Sequence, residues 1–349
     1  MFLYPDDNLV DFVAKSGDIS QLLQVNVEGN SWCELMGCES IAGLNELVQS
    51  GKILERIRID EALHEKHYSQ VADVVCDKGA RVVMVAGPSS SGKTTSANRL
   101  ATHLCIRGKQ PVLISLDDYY IDRDQILPGL DGRLDLEHIN TIDTELFKNH
   151  LLQLCNGDSI QLPSFNFKTG RREWRREELS LSDSSVIIIE GLHALNPVLL
   201  PAALEQSYVF KLYISPILSL KLDDHNCISG SLLRLLRRII RDFKTRGSSV
   251  EDTMSMWDSV RRGERRWIFP FREQADAIFN SATLYELAVL KKHIFPLLMA
   301  VQPESSCYDE VWAVVKILNY VQEADVDDEI PPTSLIREFI GGNSYYKKK

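Results

Sequence analysis

The sequence of 349 residues lacks several features that would assign it to a protein class at once. Its seven cysteines are odd in number and include no CxxC pair, which argues against a disulfide framework or a zinc site and favours reduced thiols. No apolar run approaches the roughly 18 residues that span a bilayer, and no basic segment with an apolar stretch opens the chain. These absences predict a cytoplasmic protein with no membrane partner.

Positive charge is also scarce. The 39 basic residues are outnumbered by 49 acidic ones, so the formal net charge is −10. Proteins that bind nucleic acid need a basic surface for the phosphates, so this charge argues against a nucleic-acid partner. It remains compatible with a local basic pocket for a small anionic ligand.

What the sequence does contain is a series of short apolar runs, rich in valine and isoleucine, with helical patterns between them. The runs lie at 82–86, 112–116, 186–189, 210–214 and, more weakly, 277–279. Such runs are typical of parallel strands covered on both faces, and their alternation with helices predicts a doubly wound α/β sheet. We expect a short, mostly helical segment over 1–80, an α/β domain over 81–300 and a helical extension over 301–349.

Residues 87–94 match the phosphate-binding pattern GxxxxGK[ST] in full, between a hydrophobic run and a helical pattern. Backbone N–H groups and the helix N-terminus can hold phosphates there, while Lys93 reaches the β- and γ-phosphates and the Thr94 hydroxyl helps to hold Mg²⁺. The residues predicted to bind the nucleotide are Gly87, Ser89, Ser90, Ser91, Gly92, Lys93, Thr94 and Thr95. The pattern indicates a P-loop NTPase or kinase without choosing between them.

Asp117 directly follows the second apolar run. Ligands of an open parallel sheet lie beyond the carboxyl ends of its strands, so this carboxylate is expected to point toward the γ-phosphate side of the cleft. There it can accept the proton of an attacking hydroxyl, as a kinase requires. An aspartate that only caps a turn would look the same in sequence. The motifs NKxD, LSGGQ, HRD and DFG, which mark other nucleotide-binding classes, are absent.

Five segments together resemble the uridine kinase / phosphoribulokinase family over about residues 81–299. They are GPSSSGKTT, SLDDYY, FNFKTG, IIIEGLHAL and LLRRIIRDFKTRG, and the terminal IPPTSLIREFIGG is typical of one bacterial branch. The resemblance implies a P-loop nucleoside-kinase-like three-layer fold with a mostly parallel five-stranded sheet and an Arg-rich helical lid. It also implies ATP and Mg²⁺ as cofactors, a nucleoside as substrate, and a homo-oligomer.

The resemblance assigns roles to individual residues. Asp117 becomes the base that activates the nucleoside 5′-hydroxyl, and Asp135 holds the sugar hydroxyls. Tyr120, Phe165 and Phe167 match positions that flank the base, although three aromatic residues could equally belong to a core. Glu190 ends a strand and could ligate Mg²⁺ through water or simply accept a hydrogen bond.

Arginines recur at i, i+3, i+4 and i+7 from Arg234, on one face of a predicted helix: Arg234, Arg237, Arg238 and Arg241. Between residues 234 and 272 there are 11 basic and 5 acidic residues, a local charge of +6. Such a face can neutralise a transferring phosphoryl group, or it can be a solvated helix surface. The resemblance favours a lid in which Arg238 and Arg241 are catalytic and Arg246 binds the nucleotide.

One position departs from the family pattern. Gly170 stands where uridine kinases usually have a histidine that contacts the pyrimidine. We therefore expect transfer of the γ-phosphate to the 5′-hydroxyl of a nucleoside such as uridine or cytidine, with two alternatives. One is a kinase of another hydroxylated metabolite, such as a sugar phosphate, which the nearby Arg171, Arg172, Arg175 and Arg176 permit. The other is a non-catalytic nucleotide- or RNA-binding regulator.

Overall fold

Five parallel strands form the central sheet, and each contains one of the apolar runs. The computed structural model describes residues 20–126, 137–218, 220–223 and 225–345. The strands are β1 (Val82–Ala86), β2 (Gln110–Ser115), β5 (Ser185–Glu190), β6 (Val209–Ser215) and β7 (Ala277–Asn280). Their order is β2-β5-β1-β6-β7, and every pairing is parallel. The predicted α/β class and five-stranded sheet are confirmed.

Helices cover both faces of this sheet. Helices α3 (Ile53–Asp77) and α4 (Lys93–Ile106) pack on the face that carries Val83 and Val85, while α5 (Thr144–Cys155) packs on the face that carries Met84. Successive strand residues point to opposite faces, and both faces are apolar because both are covered. This arrangement gives three layers and explains why the strands appear in the sequence as continuous apolar runs.

The remaining long helices gather beside the sheet in a core of their own. They are α1 (Ser20–Leu35), α2 (Ile41–Gln49), α6 (Gly230–Arg241), α7 (Val250–Trp267), α8 (Glu286–Met299) and α9 (Tyr308–Asn319), followed by the short α10 (Arg337–Ile340). Their shared core includes residues from before, within and after the α/β region, such as Leu44, Leu236 and Val315. The three-part division of the chain stays a prediction. Within the described ranges, no helix is both long and apolar enough to cross a membrane.

A two-stranded antiparallel hairpin stands apart from the main sheet. It consists of β3 (Ile160–Asn166) and β4 (Arg171–Leu179), joined through Gly170, whose φ of +69° suits a residue without a side chain. The sequence analysis did not predict these strands. The reason is that β4 reads RREWRREEL, is mostly exposed and shows no apolar alternation. Its pairing with β3 and its ties to the main domain hold it in place.

Candidate active site

The phosphate-binding pattern forms the turn between β1 and α4, at the carboxyl edge of the sheet. Gly87 passes so close to β6 that a Cβ atom would lie 2.1 Å from the carbonyl oxygen of Ile214. Ser90 and Gly92 both have positive φ, +59° and +89°. A non-glycine residue in this region is uncommon and indicates that the surroundings hold the loop in shape. Tight backbone curvature of this kind turns successive N–H groups toward one point, as phosphate binding requires.

Lys93 and Thr94 begin α4, where the positive end of the helix dipole lies. The Lys93 ammonium group donates to the carbonyl oxygen of Pro88 at 3.1 Å. Burial lowers the pKa of Lys93, and the carboxylates of Glu190 and Asp117 act against that shift. Thr94 is half-buried beside it. Thr95 is fully buried and donates its hydroxyl hydrogen to Glu338 at 2.7 Å, so the only donor hydrogen of its side chain is already engaged.

Asp117 and Glu190 lie at the ends of the adjacent strands β2 and β5. Ser115 is paired with Glu190 in the sheet and donates its hydroxyl hydrogen to Glu190 Oε1 at 2.7 Å. Burial, followed by repulsion from Asp117, raises the pKa of Glu190 to about 7. Burial also raises the pKa of Asp117, while Lys93, Arg246 and Arg241 oppose the rise. Two carboxylates and an ammonium group therefore share one partly desolvated edge of the sheet.

The neighbouring aspartate, Asp118, has a different function in the structure. Its carboxylate accepts from the Arg175 guanidinium at 2.6 Å and from the backbone N–H of Phe165 at 3.3 Å. Asp118 therefore connects the β3–β4 hairpin to the turn that carries Asp117. Asp117 thus faces the cluster of Lys93 and the arginines, whereas the adjacent Asp118 anchors the hairpin.

The structure divides the arginine stripe of α6 into two groups. Arg234 is buried and pairs with Glu264, and Arg237 is buried and pairs with Glu286. Both arginines also donate to P-loop carbonyl oxygens, Arg234 to Ser89 and Arg237 to Ser90. Their charges are thus neutralised by buried carboxylates. The idea that all four arginines of the stripe face the phosphates is wrong for these two, which hold the helix against the loop.

The other group converges on Asp242, in the π-helical turn Asp242–Arg246 that follows α6. Arg241 donates to Asp242 Oδ1 at 2.8 Å, Arg246 lies 3.5 Å from the same atom, and Arg238 lies 3.3 Å from Oδ2. Arg238 also donates to the Ser89 hydroxyl at 2.9 Å. Burial, then repulsion from Arg241, lowers the pKa of both Arg238 and Arg246. One carboxylate among three guanidinium groups leaves excess positive charge, which suits an anion.

The predicted sugar-binding residue Asp135 lies outside the described residues, but Glu137, two positions on, lies at the site. Burial, with repulsion from Glu264 and Asp117, raises the pKa of Glu137 to about 7, and Arg238 and Lys93 oppose the shift. Gly263 of α7 lies against it so closely that a Cβ atom there would be 2.4 Å from Glu137 Cβ. Sequence reasoning assigned no role to Glu137. Its place two residues after Asp135 in the sequence was the available signal.

The three predicted base-flanking aromatic residues do come together. The ring centroids of Tyr120 and Phe165 are 5.5 Å apart, and Phe167 lies 5.1 Å from Phe165 and 6.0 Å from Tyr120. Phe165 is 9% exposed and Phe167 is 54% exposed, so the cluster runs from the core to the surface. Burial and the charges of Asp117 and Glu137 raise the pKa of Tyr120, which places this ring beside the carboxylates.

The structure also shows what occupies the space beside Gly170. A Cβ atom on Gly170 would lie 2.9 Å from Arg123 Cβ, so the Arg123 side chain covers the place that a side chain at 170 would need. Arg123 donates its guanidinium hydrogen to the Phe167 carbonyl oxygen at 3.0 Å. A guanidinium group therefore lies against the backbone of Phe167, in the place of a side chain at position 170.

The donor set fits Mg²⁺. Thr94 offers a hydroxyl and Glu190 a carboxylate with a raised pKa, and both lie at the carboxyl edge of the sheet. In the part of the chain that the structure describes, no group of three or more His, Cys, Asp or Glu residues could hold a metal ion. Mg²⁺ is commonly bound by one or two carboxylates together with substrate phosphates, so a sparse set of oxygen donors suits it.

Comparisons with known proteins agree with this geometry. The family model described as "Phosphoribulokinase / Uridine kinase family" matches residues 82–288. The chain belongs to this family. Similar members include the uridine kinase of Staphylococcus haemolyticus, 27% identical over 209 residues, which cover 60% of this chain and 91% of that protein. The uridine kinase of Clostridium novyi is 27% identical over 212 residues, covering 60% and 90%.

Two solved structures are similar as well. A putative fructose transport system kinase from a Silicibacter species has a TM-score of 0.44 and 17% identity, covering 61% of this chain and 98% of that one. A possible uridine kinase from Bacillus stearothermophilus has a TM-score of 0.39 and 21% identity, covering 60% and 97%. From its family, the chain is a phosphotransferase that acts on a hydroxyl group.

Proposed function

We propose that this kinase uses ATP and Mg²⁺ to phosphorylate the 5′-hydroxyl of a nucleoside, with uridine and cytidine as the first candidates. The observation that carries the proposal is the position of Asp117. Lys93, Arg246 and Arg241 lie within electrostatic reach of its carboxylate, and the charge of Asp117 acts in turn on Tyr120. A base at this point lies between a place for phosphates and a flat aromatic surface that suits a nucleobase.

The chemistry follows from these positions. The acceptor hydroxyl gives its proton to the Asp117 carboxylate as its oxygen forms a bond to the γ-phosphorus, and the bond from that phosphorus to the β-phosphate oxygen breaks. Lys93, Arg238 and Arg241 neutralise the charge on the transferring group, and little else is needed because phosphoryl transfer depends on positioning and charge. Thr94 and Glu190 would hold Mg²⁺, which supplies further neutralisation of the phosphate oxygens.

We assign the sugar hydroxyls to Glu137, and the resemblance-based role of Asp135 stays a prediction. A carboxylate accepts two hydroxyl hydrogens at once, and the buried position of Glu137 beside Asp117 and Tyr120 would orient a ribose between base and nucleophile. Arg123 and the backbone of Phe167 would then contact the base edge. Because arginine offers only donors, we expect it to favour a base that presents a carbonyl oxygen there, as uracil and cytosine do.

A sugar-phosphate acceptor would need arginines with spare charge near the hairpin. Arg172 pairs with Asp143, Arg175 with Asp118 and Arg171 with Asp124. Three of the four arginines that permit this alternative are thus paired within the protein, which favours the nucleoside as the acceptor. The homo-oligomeric state, the cytoplasmic location and the lack of a nucleic-acid partner remain predictions.

The direct test incubates the purified protein with labelled ATP, Mg²⁺ and a panel of nucleosides, with sugar phosphates as a second arm. We expect transfer to the 5′-hydroxyl of a pyrimidine nucleoside, and no transfer to its 5′-deoxy analogue. Asp117→Asn should lower kcat by at least about a thousandfold while ATP affinity changes little. Asp118→Asn is the matched control and should mainly raise the acceptor KM. Transfer only to sugar phosphates, or turnover by Asp117→Asn, would refute the assignment.

A further inference from the structure

A segment far from the α/β core in sequence lies across the P-loop. Residues 330–343, here called the C-terminal strap, include the buried Ser334, Leu335, Ile336 and Phe339 and contain α10. The Arg337 guanidinium fixes the shape of the strap by donating to the carbonyl oxygens of Ile330 and Asp327. A segment of this length buried this deeply is part of the folded domain and not an appended tail.

The strap makes three direct contacts with the P-loop and the first turn of α4. The Leu335 side chain fills the space beside Gly92, where a Cβ atom would lie 2.5 Å from it. Glu338 Oε2 accepts the Thr95 hydroxyl hydrogen at 2.7 Å, and Asn343 Nδ2 donates to the same Thr95 oxygen at 3.1 Å. Gly92 is therefore required both for its backbone angle and to admit the strap. Thr95 is held from both sides by strap residues.

The strap also contacts the elements that carry the arginines. The Phe339 ring lies under the Arg237 guanidinium, 5.1 Å from centroid to carbon, and the Ile340 carbonyl oxygen accepts from Lys244 at 2.6 Å. On its other side, the Ser334 hydroxyl donates to Glu61 of α3 at 2.6 Å. One short segment thus connects the P-loop helix, the arginine helix and α3.

The charge of Glu338 is directed at the same place. Glu338 is among the carboxylates that oppose the lowering of the Lys93 pKa, and its repulsion adds to the raised pKa of Glu190. The strap therefore places a carboxylate within electrostatic reach of the lysine that is to hold the β- and γ-phosphates. A residue that only closed the hydrophobic core would have no such position.

We propose that the C-terminal strap is one wall of the ATP site, and that Glu338 and Asn343 are positioning residues for Thr95 and the first turn of α4. This inference depends on the ATP-binding part of the proposed function and on no assumption about the acceptor. Because the strap touches Gly92 and Thr95 directly, nucleotide binding and strap docking must be linked, and the linkage is reciprocal. Bound nucleotide will therefore hold the strap in place.

The first test compares the full-length variants Glu338→Ala, Glu338→Gln and the control Glu329→Gln by calorimetric titration with ATP and Mg²⁺ and by steady-state kinetics. Glu338→Ala removes the acceptor of the Thr95 hydroxyl and should raise both Kd and KM for ATP about tenfold, because the buried hydroxyl is left without an acceptor. Glu338→Gln keeps an acceptor oxygen and should stay within about twofold of the unchanged protein. In each variant the acceptor KM should stay the same. Equal ATP affinity in Glu338→Ala and the unchanged protein would overturn the proposal.

Glu329→Gln is the matched control, because Glu329 directly precedes the strap and pairs on the surface with Arg58 at 3.4 Å. It should change neither ATP affinity nor thermal stability. Hydrogen exchange gives a second readout that does not need turnover. Saturating ATP with Mg²⁺ should slow the exchange of strap amides 334–341 several-fold in the unchanged protein and much less in Glu338→Ala. Exchange rates of the strap amides that do not change when ATP is added would also overturn the proposal.

These measurements keep the strap separate from the acceptor. If no nucleoside is phosphorylated but ATP affinity and strap exchange respond as expected, the acceptor assignment fails and the strap proposal stands. If Glu338→Ala loses stability but keeps its ATP affinity, the contact is purely structural. Only a role at the ATP site would raise the ATP KM and leave the acceptor KM unchanged.

Discussion

The phosphate half of the site and the acceptor half are built in opposite ways. Around the P-loop, Arg237 and Glu286 form an ion pair with no exposed surface, and Ser91 is equally buried. The acceptor half depends on the β3–β4 hairpin, where Phe167 and Trp174 are about half exposed and β4 consists mainly of exposed charged residues. The predicted phosphate-binding residues are thus embedded in the core, whereas the hairpin that is proposed to contact the acceptor is a surface element attached to it.

This difference has a physical consequence for specificity. A change in β4 disturbs few buried contacts, because that strand is mostly exposed and is held to the domain by polar links such as Arg175 with Asp118, while its partner strand β3 contributes Ile160 and Leu162 to the core. A change near the P-loop exposes buried charge. Acceptor preference can therefore vary at low cost in stability while the phosphate machinery cannot, which fits a family whose model name covers both uridine kinases and phosphoribulokinases.

The largest expected effect concerns the buried ion pair. Arg237→Met leaves the Glu286 carboxylate buried without its partner, and breaking such a pair typically costs about 3–5 kcal/mol. We expect that loss in the free energy of unfolding, measured with urea. Arg241→Gln changes a neighbouring arginine of the same helix whose partner, Asp242, keeps two other arginines. It should lower kcat with a change of about 1 kcal/mol or less in stability. Similar losses of stability in both variants would contradict the difference between the fully paired Arg237 and Arg241, which shares Asp242 with other arginines.

The next effect is a pH dependence at the edge of the sheet. The pKa of Glu190 is raised from its ordinary value of 4.5 to about 7 in the folded protein, so the folded state binds the proton more tightly than the unfolded state. Its contribution to stability is therefore most unfavourable above pH 7 and is relieved as the pH falls toward 4.5.

Glu190→Gln removes this penalty while its amide oxygen can still accept from Ser115. We expect the ligand-free variant to be more stable than the unchanged protein by about 1–3 kcal/mol at pH 8, and by only a fraction of that at pH 5. Thermal unfolding at both pH values measures the difference, and activity should fall because a metal-binding oxygen is lost. A pH-independent difference would contradict a raised pKa at Glu190.

The smallest effect is expected at the surface of the acceptor half. Phe167→Ala removes an exposed ring, and stacking of a base on an aromatic ring contributes about 1–3 kcal/mol, so the nucleoside KM should rise about tenfold. Stability should change by less than about 0.5 kcal/mol, as is usual at exposed positions. Trp174→Ala, at an equally exposed aromatic on the same hairpin, is the control and should leave the nucleoside KM unchanged. An equal rise of the nucleoside KM in both variants would mean that the substitutions only loosen the hairpin.

Much of the fold was predictable because its signals are local. Each β-strand of the main sheet coincides with an apolar run, since strands covered on both faces must be apolar throughout. Helices were also expected before residue 80 and after residue 301, where α1 to α3, α9 and α10 lie. The β3–β4 hairpin was not predictable in the same way, because β4 is charged on both faces and owes its conformation to β3 and Asp118.

The candidate site shows the same division. Asp117 and Lys93 meet as the motifs predicted, because each follows a strand of the main sheet at its carboxyl edge, whereas Phe165 and Phe167 join Tyr120 through the hairpin that the sequence did not predict. The arginine stripe was resolved only by the structure. Helical spacing placed four arginines on one face, but Glu264 and Glu286, which pair with two of them, come from other helices.

By itself, the sequence of this protein determined the α/β class, the phosphate-binding turn and the position of the aspartate that we propose as the base, because each depends on residues close together in the chain. Only the tertiary structure decided which arginines keep charge for an anion, that Glu137 lies at the site, and that Leu335 and Glu338 close on the P-loop more than 240 residues away. Contacts at such separations depend on packing of the whole chain, and no local pattern of residue types records them.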